Sequence, residues 1–242
     1  MKIDRTAYIF EIFQSIEGEG LRAGILSLFI RFAGCDLNCP PCDTKYSLEE
    51  KPEECSIYYK GKKENIKNPI SIDVLIKIIS KGRKTKRIVL TGGEPLLQAG
   101  FIEELAKNIQ YEYDICVETN GTMPHRLARI IPYISEVSCD VKLGSVWGVS
   151  QDEVKLKRFL KIAKQRLVWV KCVIEPSTPV KEIENISRLV ASVSPIIPLI
   201  FHSLDGSGDF NFDNISKILK SAGKHLLDVR FLPRIHRILN LR

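Results

Sequence analysis

Three cysteines lie close together near the start of the chain, at Cys35, Cys39 and Cys42, in the stretch GCDLNCPPCDT. Their spacing is C-x3-C-x2-C, and they directly follow the apolar run from Leu26 to Ala33. Three thiolates are one fewer than a closed structural zinc site needs. They can instead hold three irons of a cubane cluster and leave the fourth iron open. The spacing predicts an open iron–sulfur centre, with a four-cysteine zinc site completed by Cys55 as the alternative.

The composition describes a chain that can bury a sizeable core. Of its 242 residues, 44% are apolar. No apolar stretch approaches the roughly 20 residues needed to span a bilayer. The first residues, MKIDRTAYIFEIFQ, contain no apolar signal core. Seven cysteines without such a signal argue against a disulfide framework. We therefore expect a cytoplasmic protein that does not contact a membrane.

The chain is basic, because 36 Lys and Arg residues outnumber 29 Asp and Glu residues and give a formal net charge of +7. The positive residues are spread along the sequence. This distribution indicates a solvated lysine-rich surface, which could also attract anionic small molecules. Direct binding of nucleic acid is not predicted.

Short apolar runs alternate with segments of helical period, which is typical of parallel strands joined by helical crossovers. The predicted strands are 27–33, 87–90, 115–118, 136–141, 167–174, 198–202 and 228–232. The predicted helices are 71–82, with Ser71 as N-cap and Gly82 after its last turn, and about 100–111, 150–164, 180–193 and 211–222. Fewer than eight strand–helix units are visible. The sequence therefore predicts an α/β fold, a partial TIM-like barrel with outer helices, formed by a single domain over 1–242 with a polar excursion or loop at about 47–68.

Polar motifs follow the predicted strands. The cysteine loop follows the first strand, and Thr91-Gly92-Gly93-Glu94-Pro95 follows the second. Glu118, Asp140 with Lys142, and His202 end later strands. The carboxyl ends of barrel strands form one rim, and that rim carries the active site. We expect these five motifs to converge there. Three further cysteines lie within apolar strands and are predicted to be buried structural thiols: Cys116, Cys139 and Cys172.

The cysteine loop and the glycine motif together resemble the radical S-adenosylmethionine enzymes. In those enzymes a C-x3-C-x2-C loop holds a [4Fe–4S] cluster, and a glycine motif binds the methionine amino group of S-adenosylmethionine. Glycines permit close approach of a ligand to the backbone, and a carboxylate pairs with an ammonium. The resemblance implies cofactor contacts by Pro41, Asp43, Gly93, Glu94, Glu118, Asp140 and Lys142, with Glu118 holding the ribose hydroxyls.

Further segments resemble the 7-carboxy-7-deazaguanine synthases within that superfamily. They are Phe13 to Gly20, Arg31 to Cys35, Cys42 to Tyr46, and Val229 to Pro233 with His236 soon after. The resemblance is dense over 8–46 and 87–122. It implies that Cys35, Cys39 and Cys42 hold the cluster. One-electron cleavage of S-adenosylmethionine then gives a 5′-deoxyadenosyl radical. This radical takes hydrogen from 6-carboxy-5,6,7,8-tetrahydropterin. Ring contraction with loss of ammonia yields 7-carboxy-7-deazaguanine, a precursor of the modified transfer-RNA bases queuosine and archaeosine.

The same resemblance implies roles for further residues. Thr44 falls at the position of a magnesium ligand, beside Asp43. Arg31 would meet the substrate carboxylate, because a guanidinium pairs with a carboxylate in a bidentate fashion. The other pterin contacts would be Ile16, Glu17, Gly18, Glu19 and Thr91. The implied partners are a one-electron donor such as flavodoxin or ferredoxin and a second copy of the chain in a homodimer.

The sequence departs from the family pattern at three places. Position 17 is Glu where the family usually has Gln. Ser138 to Lys142, SCDVK, is longer than the usual Ser-Pro-Lys, and Leu199 to Leu204, LIFHSL, lacks the usual Gln-Pro. These differences affect the finer ligand contacts and leave the cluster motif intact.

Two other functions are compatible with parts of the sequence. A glycyl-radical activating enzyme can share the cysteine spacing, but it needs a protein-docking surface and no pterin site. A zinc-stabilised nucleic-acid-binding module is permitted by the positive charge, but it leaves the motif from Thr91 to Pro95 without a role.

Overall fold

The computed structural model describes residues 5–59, 61–81, 85–149, 151–204 and 210–241 of the 242-residue chain. Its strands are β1 (Thr6–Ala7), β2 (Ile9–Ile16), β3 (Leu26–Phe32), β4 (Glu54–Tyr59), β5 (Lys62–Lys67), β6 (Ile70–Ser71), β7 (Arg87–Gly92), β8 (Asp114–Thr119), β9 (Glu136–Val141), β10 (Leu167–Ile174), β11 (Leu199–Ser203) and β12 (Val229–Phe231). Its α-helices are α1 (Ile72–Lys81), α2 (Ala99–Ile109), α3 (Pro124–Ile130), α4 (Gly144–Trp147), α5 (Glu153–Ala163), α6 (Val180–Ala191), α7 (Phe212–Ala222) and α8 (Ile235–Ile238).

Ten strands form one sheet in the order β12-β11-β10-β9-β8-β7-β3-β2-β4-β5. Every neighbouring pair from β3 to β12 is parallel. β2 is antiparallel to β3, and the hairpin β4–β5 extends the sheet beyond β2. Among the described residues β12 and β5 are the two edges, so the barrel is open. The predicted α/β partial barrel is therefore confirmed.

Successive residues of the parallel strands face opposite sides of the sheet. On the outer side, Ile88, Leu90, Ile115 and Val117 join one large core with the apolar faces of the helices. A smaller apolar cluster fills the inner side and includes Phe13, Phe29, Val89, Cys116, Trp169 and Ile200. Apolar burial on both faces explains why these strands form nearly continuous apolar runs in the sequence.

Helix α1 shows how the local sequence determines an element. Leu75 and Ile79 are buried one turn apart on its inner face, while Ile72 and Ile76 pack against the same core. The hydroxyl of Ser71 accepts a hydrogen bond from the Val74 N–H at 3.4 Å, which confirms Ser71 at the start of the helix. Two predicted helix-boundary residues, Gly82 and Ser150, lie outside the described residues.

The segment 47–68 differs from the predicted loop, because it contains the hairpin of β4 and β5. The strands were not recognisable from the sequence, because β5 is the edge of the sheet and carries mainly exposed charged residues. Charged side chains are common on edge strands, where they discourage pairing with other chains. Among the described residues of the hairpin, Cys55, Ile57 and Ile66 reach the outer core. The prediction of a single domain over 1–242 stays a prediction.

Each of the seven predicted strands and five predicted helices is found, with ends that differ by at most three residues. Helices α3, α4 and α8 were not predicted, because they have only seven, four and four residues. Across the described ranges, no helix combines the length and apolar character needed to cross a membrane.

Candidate active site

One cavity opens among the carboxyl ends of the parallel strands and extends into the barrel. It is lined by the three loop cysteines and by the inward side chains of β3, β7, β8, β9 and β10. The inward positions are every second residue, such as Arg87, Val89 and Thr91 of β7, or Trp169, Lys171 and Val173 of β10. The cavity also contacts Gly18, Glu19, Asp43, Arg234 and His236.

The cysteine loop brings all three sulfur-bearing residues to this cavity. Gly34 lies before the loop with φ +85°, a conformation that glycine adopts at low cost. Its N–H donates to the Ser47 carbonyl and its carbonyl accepts from the Glu94 N–H, each at 2.8 Å. The thiol of Cys35 accepts from the Leu37 N–H at 3.4 Å, and burial raises its pKa to about 11. The loop is thus tied to the glycine turn that follows β7.

The arrangement favours a cluster over a four-cysteine zinc site. Cys55 lies on β4 in the outer core, fully buried and away from the cavity, and burial raises its pKa to about 12. It is therefore not placed to act as a fourth ligand. In the described part of the chain, no three His, Cys, Asp or Glu side chains converge on one metal ion. A cubane cluster does not require such convergence, because each thiolate binds a different iron.

The two glycines of the turn are required by the backbone that passes beside them. A Cβ on Gly92, which has φ +144°, would lie 2.2 Å from the Phe32 carbonyl oxygen. A Cβ on Gly93 would lie 2.2 Å from the Gly34 carbonyl oxygen and 2.9 Å from the Cys35 Cβ. These glycines thus let the end of β7 contact the cysteine loop directly, and both also line the cavity.

Glu94 is predicted to pair with the cofactor ammonium, and in this structure its carboxylate is hydrogen-bonded by the protein itself. Its side chain is fully buried behind the turn. It accepts hydrogen bonds from the N–H groups of Leu96 at 3.0 Å and Asn120 at 2.8 Å, and from the Thr119 hydroxyl at 2.9 Å. Burial raises its pKa to about 7 despite these bonds. In this structure Glu94 holds the ends of β7 and β8 together and does not line the cavity.

Glu17 is also held by the protein itself. Its carboxylate forms an ion pair with the buried Arg87 at the start of β7 and accepts a hydrogen bond from the Ser27 hydroxyl. Arg87 also lies 2.6 Å from Glu136, which pairs with Arg22 in turn. These charges lie at the amino ends of the parallel strands, opposite the cysteine loop. The loop after β2 is thereby anchored at the base of the barrel, although Glu17 still lines the cavity.

Lys171 occupies the middle of the barrel, where its side chain is almost completely buried. Its Nζ lies 3.0 Å from Glu118 Oε1 and 3.1 Å from Glu19 Oε2. Burial alone would lower the pKa of Lys171, but Glu118 and Glu19 hold it well above its usual value. Burial would likewise raise the pKa of Glu19, but Lys171 and Arg234 hold it well below its usual value. Lys171 and Glu19 are therefore both charged.

The C-terminal segment, residues 232–241, closes one side of the cavity with the buried side chain of Arg234. Its guanidinium donates to Glu19 Oε1 at 2.6 Å, Asp43 Oδ2 at 2.7 Å and the Leu204 carbonyl at 2.9 Å. Arg237 lies 3.3 Å from the same Asp43 oxygen. Arg234 thus connects the loop after β2, the cysteine loop and the end of β11.

Two histidines support the loop after β2. His202 Nδ1 donates to the Leu232 carbonyl at 2.9 Å, and its Nε2 accepts from the Gly20 N–H at 3.1 Å. This pattern requires the neutral imidazole, and burial lowers the pKa of His202 in agreement. The ring of His236 lies against Gly18, where a Cβ would be 2.0 Å from His236 Nδ1. Burial also lowers the pKa of His236.

Arg31 and Thr91 lie side by side on β3 and β7 and both line the cavity. The Arg31 Nε donates to Glu11 Oε1 at 2.8 Å, and its guanidinium carbon lies 5.5 Å from the centre of the Phe13 ring. Arg31 is therefore held in one orientation on the cavity wall. Ile16 lies at the end of β2, on the same wall.

Asp140 and Lys142 lie at the end of β9 and are bonded to each other, with Lys142 Nζ 2.9 Å from Asp140 Oδ2. The Lys142 ammonium also lies 3.7 Å from the centre of the Trp147 ring. Trp147 packs against Cys39 and Val173 and forms an apolar wall beside the cysteine loop. This wall was not predicted from the sequence, because Trp147 lies on a helix of four residues.

Asp43 and Thr44 lie at the outer end of the cysteine loop and line the cavity. Asp43 is held by Arg234, as described above. The Thr44 hydroxyl lies 3.6 Å from the Cys42 sulfur. Pro41 is half-buried between two of the cysteines and is not among the cavity-lining residues.

The radical SAM superfamily model matches residues 29–169, which is more than half of the chain. A 7-carboxy-7-deazaguanine synthase from Geobacter sulfurreducens is 30% identical over 96% of this chain and 97% of its own length. Another from Archaeoglobus fulgidus is 30% identical over 98% of this chain and 99% of its own. The chain belongs to the 7-carboxy-7-deazaguanine synthase family of radical SAM enzymes.

Solved structures support the fold of this 7-carboxy-7-deazaguanine synthase family member. QueE from Escherichia coli superposes with a TM-score of 0.65 at 24% identity, covering 95% of each chain. Streptococcus suis SuiB bound to S-adenosylmethionine superposes with a TM-score of 0.53 at 12% identity, covering 93% of this chain and 48% of SuiB. The family resemblance inferred from the sequence motifs is confirmed.

The structure brings most of the predicted site residues to one cavity, with Glu94 and Pro41 outside its lining. Three charged residues that organise it were missed: Arg87, Lys171 and Arg234. Lys171 had a recognisable signal, because it interrupts the apolar run WVKCV two residues after Trp169 and so faces the same side of β10. Cys116, Cys139 and Cys172 are fully buried, as predicted.

Proposed function

We propose that this protein converts 6-carboxy-5,6,7,8-tetrahydropterin to 7-carboxy-7-deazaguanine, in the biosynthesis of deazapurine bases. One observation carries the proposal: the cysteine loop, the glycine turn and the loop after β2 line a single cavity. Membership of the 7-carboxy-7-deazaguanine synthase family supports the same reaction. A protein-docking activase would not need the buried charges that organise this cavity.

The cysteines fit a [4Fe–4S] cluster. Cys35, Cys39 and Cys42 reach the cavity from one loop, and no fourth cysteine accompanies them among the residues that line it. This donor set would leave one iron open for the amino and carboxyl groups of S-adenosylmethionine. When bound, the cluster and S-adenosylmethionine supply a one-electron bond cleavage that generates a carbon radical. The apolar wall of Trp147 and Val173 excludes water from that side.

The residues around the cysteine loop are suited to S-adenosylmethionine. The Gly93 backbone lies against the cysteine loop and lines the cavity, where its peptide groups would bond the cofactor. Glu118 at the end of β8 would accept hydrogen bonds from ribose hydroxyls. Asp140 and Lys142 present a paired carboxylate and ammonium at the end of β9. In this proposal Glu94 positions the glycine turn, and Pro41 and Asp43 shape the loop.

The pterin would bind deeper in the barrel. Arg31 would pair with its carboxylate, because the guanidinium is held on the cavity wall by Glu11. Glu19 would accept hydrogen bonds from the N–H edge of the pterin, and Thr91 would contact the ring. Since the Glu17 carboxylate is paired with Arg87, we assign pterin contact at Ile16, Glu17 and Gly18 to their backbone groups.

Three further features belong to the proposal. Mg²⁺ would bind the Thr44 hydroxyl and oxygens of the pterin carboxylate, because hard cations prefer oxygen ligands. A flavodoxin or ferredoxin would deliver the electron. The active form would be a cytoplasmic homodimer.

Thr44→Val, which removes the hydroxyl at nearly constant volume, tests the magnesium site: it should weaken the magnesium dependence of turnover while iron content is retained. An unchanged magnesium response would remove Thr44 from that site.

The reaction itself is tested with anaerobically reconstituted protein, the tetrahydropterin, S-adenosylmethionine, Mg²⁺ and a reductant, analysed by mass spectrometry. The expected products are 7-carboxy-7-deazaguanine and ammonia. The pterin and 7-carboxy-7-deazaguanine differ only by ammonia, so the hydrogen atom taken by the radical has to be returned and S-adenosylmethionine is regenerated. Formation of 5′-deoxyadenosine without consumption of the pterin would show a radical SAM enzyme with another substrate. A colourless protein that retains one tightly bound zinc would refute the proposal.

A further inference from the structure

Lys171 joins two groups of residues that the proposed function assigns to different ligands. Glu118 at the end of β8 belongs to the cofactor group, and Glu19 in the loop after β2 belongs to the pterin group. The Lys171 ammonium lies within 3.1 Å of both carboxylates. The lysine side chain is 5% exposed, and those of Glu19 and Glu118 are 13% and 26% exposed. These charged groups therefore have little access to water and interact mainly with one another.

The shared ammonium makes the positions of the two carboxylates interdependent. A buried charge is stable only when it is paired and hydrogen-bonded. Glu19 has a second partner in Arg234, whereas Lys171 is the only ion-pair partner of Glu118 in the described residues. A ligand that fixes Glu118 therefore also fixes Lys171, and a fixed Lys171 restricts Glu19. When the second ligand binds, less side-chain conformational entropy is then lost.

We propose that Lys171 is a positioning residue that makes the binding of S-adenosylmethionine and of the pterin mutually favourable. This inference rests on the proposed function of the cavity. Because the coupling between two sites is reciprocal, each ligand raises the affinity of the protein for the other by the same factor. Because of this coupling, the residues that bind S-adenosylmethionine would become fully ordered only after the pterin has bound. The radical would then form in the presence of its substrate.

The chain offers a matched control in Lys107 on α2. Lys107 also lies between two glutamates, with its Nζ 2.8 Å from Glu103 and 2.8 Å from Glu104. It is on the outside of the barrel, 35% exposed, and none of the three residues lines the cavity. Lys107→Met therefore removes a lysine between two carboxylates without altering the site.

The test measures the dissociation constant of S-adenosylmethionine with and without saturating 6-carboxytetrahydropterin. Holoprotein with an oxidised cluster is used without a reductant, so that binding is measured in the absence of turnover. We expect the pterin to lower the dissociation constant at least about fivefold in the wild type, within the range typical of coupled sites. Lys107→Met should show the same factor, and Lys171→Met a factor below about two. The reverse titration, pterin with and without S-adenosylmethionine, should give equal factors.

The results separate this inference from the function on which it rests. If Lys171→Met binds both ligands and keeps the wild-type factor, the inference is overturned while the proposed function stands. Loss of the factor in Lys107→Met as well would also overturn it. Holoprotein that binds S-adenosylmethionine but no pterin would overturn both. If Lys171→Met does not retain its cluster, Lys171→Gln, which keeps a hydrogen-bond donor without the charge, carries the same expectation.

Discussion

Arg234 donates a hydrogen bond to Asp43 at 2.7 Å and so ties the C-terminal segment to the cysteine loop, 191 residues earlier in the chain. The same guanidinium holds Glu19 of the loop after β2. Three segments of the cavity wall that are distant in sequence are thus joined by one buried guanidinium. The barrel positions each segment, and Arg234 determines their relative placement.

Loss of Arg234 should therefore affect both stability and the site. Breaking a buried pair leaves a carboxylate without its partner, so Arg234→Gln should lower the free energy of unfolding by about 3 kcal/mol. It should also raise the KM for the pterin while iron content is unchanged. Arg230→Gln is the control, because Arg230 forms a similar pair with Asp228 but is 43% exposed. Its loss should cost less than about 1 kcal/mol in a denaturant titration. Equal effects of the two variants would contradict the role of Arg234.

Cys39 and Cys55 are both buried cysteines, but only Cys39 lies at the cavity. Cys39→Ala should abolish cleavage of S-adenosylmethionine and lower the iron content of reconstituted protein from about four per chain. Cys55→Ala should keep both iron and cleavage, because its thiol contacts only the outer core. Iron analysis and 5′-deoxyadenosine formation provide the measurements. Equal losses in the two variants would make Cys55 a ligand.

Gly18 lies against His236, with no room for a Cβ between them. A Cβ there would be 2.0 Å from His236 Nδ1 and 2.8 Å from the His236 Cβ, so Gly18→Ala must displace the C-terminal segment. We expect faster trypsin cleavage after Arg237 and at least a tenfold higher KM for the pterin, about 1.4 kcal/mol. In Gly144→Ala the new Cβ would have no neighbour closer than 3.7 Å, so cleavage should be unchanged. Unaltered trypsin cleavage in Gly18→Ala would show that the segment is not held at this position.

His202 should make stability depend on pH. Burial lowers its pKa below the ordinary value of 6.5, so the unfolded chain binds a proton more readily than the folded protein. Its stabilising contribution is present above pH 6.5 and is lost as pH falls through the lowered pKa. Protonation would turn the Nε2 acceptor into a donor facing the Gly20 N–H. Denaturant titrations from pH 7.5 to 5 should show a steeper loss of stability in the wild type than in His202→Gln. His125→Gln, at an exposed position, should follow the wild type, and parallel curves for wild type and His202→Gln would contradict the assignment.

The sequence predicted the parts of this protein that local patterns determine. Apolar runs identified the parallel strands, and the two short motifs identified the cluster loop and the turn beside it. The edge hairpin β4–β5 was missed, because an edge strand buries few side chains and so carries little apolar signal. Residues that act by pairing across the barrel, such as Arg87 with Glu17, could not be inferred from spacing. Their partners are separated by tens of residues and meet only in the folded sheet.

The side-chain partners of the motif residue Glu94 could likewise not be inferred from the sequence. A carboxylate after two glycines resembles a ligand for the cofactor ammonium, yet here it bonds the backbone and hydroxyl groups of its own and the neighbouring strand end. Sequence placed Glu94 at the correct turn but could not give the direction of its side chain. The same holds for Glu17, which faces Arg87.

The most direct test of the central claim is the transfer of hydrogen within the cavity. Holoprotein is incubated anaerobically with S-adenosylmethionine, Mg²⁺, a reductant and 6-carboxytetrahydropterin deuterated on its saturated ring carbons. If the cysteine loop and the loop after β2 serve one reaction, deuterium will be transferred to the 5′ carbon of the deoxyadenosyl group and found in S-adenosylmethionine and 5′-deoxyadenosine, and 7-carboxy-7-deazaguanine will form with it. Unlabelled 5′-deoxyadenosine, formed at a rate that does not depend on the pterin, would contradict a shared site.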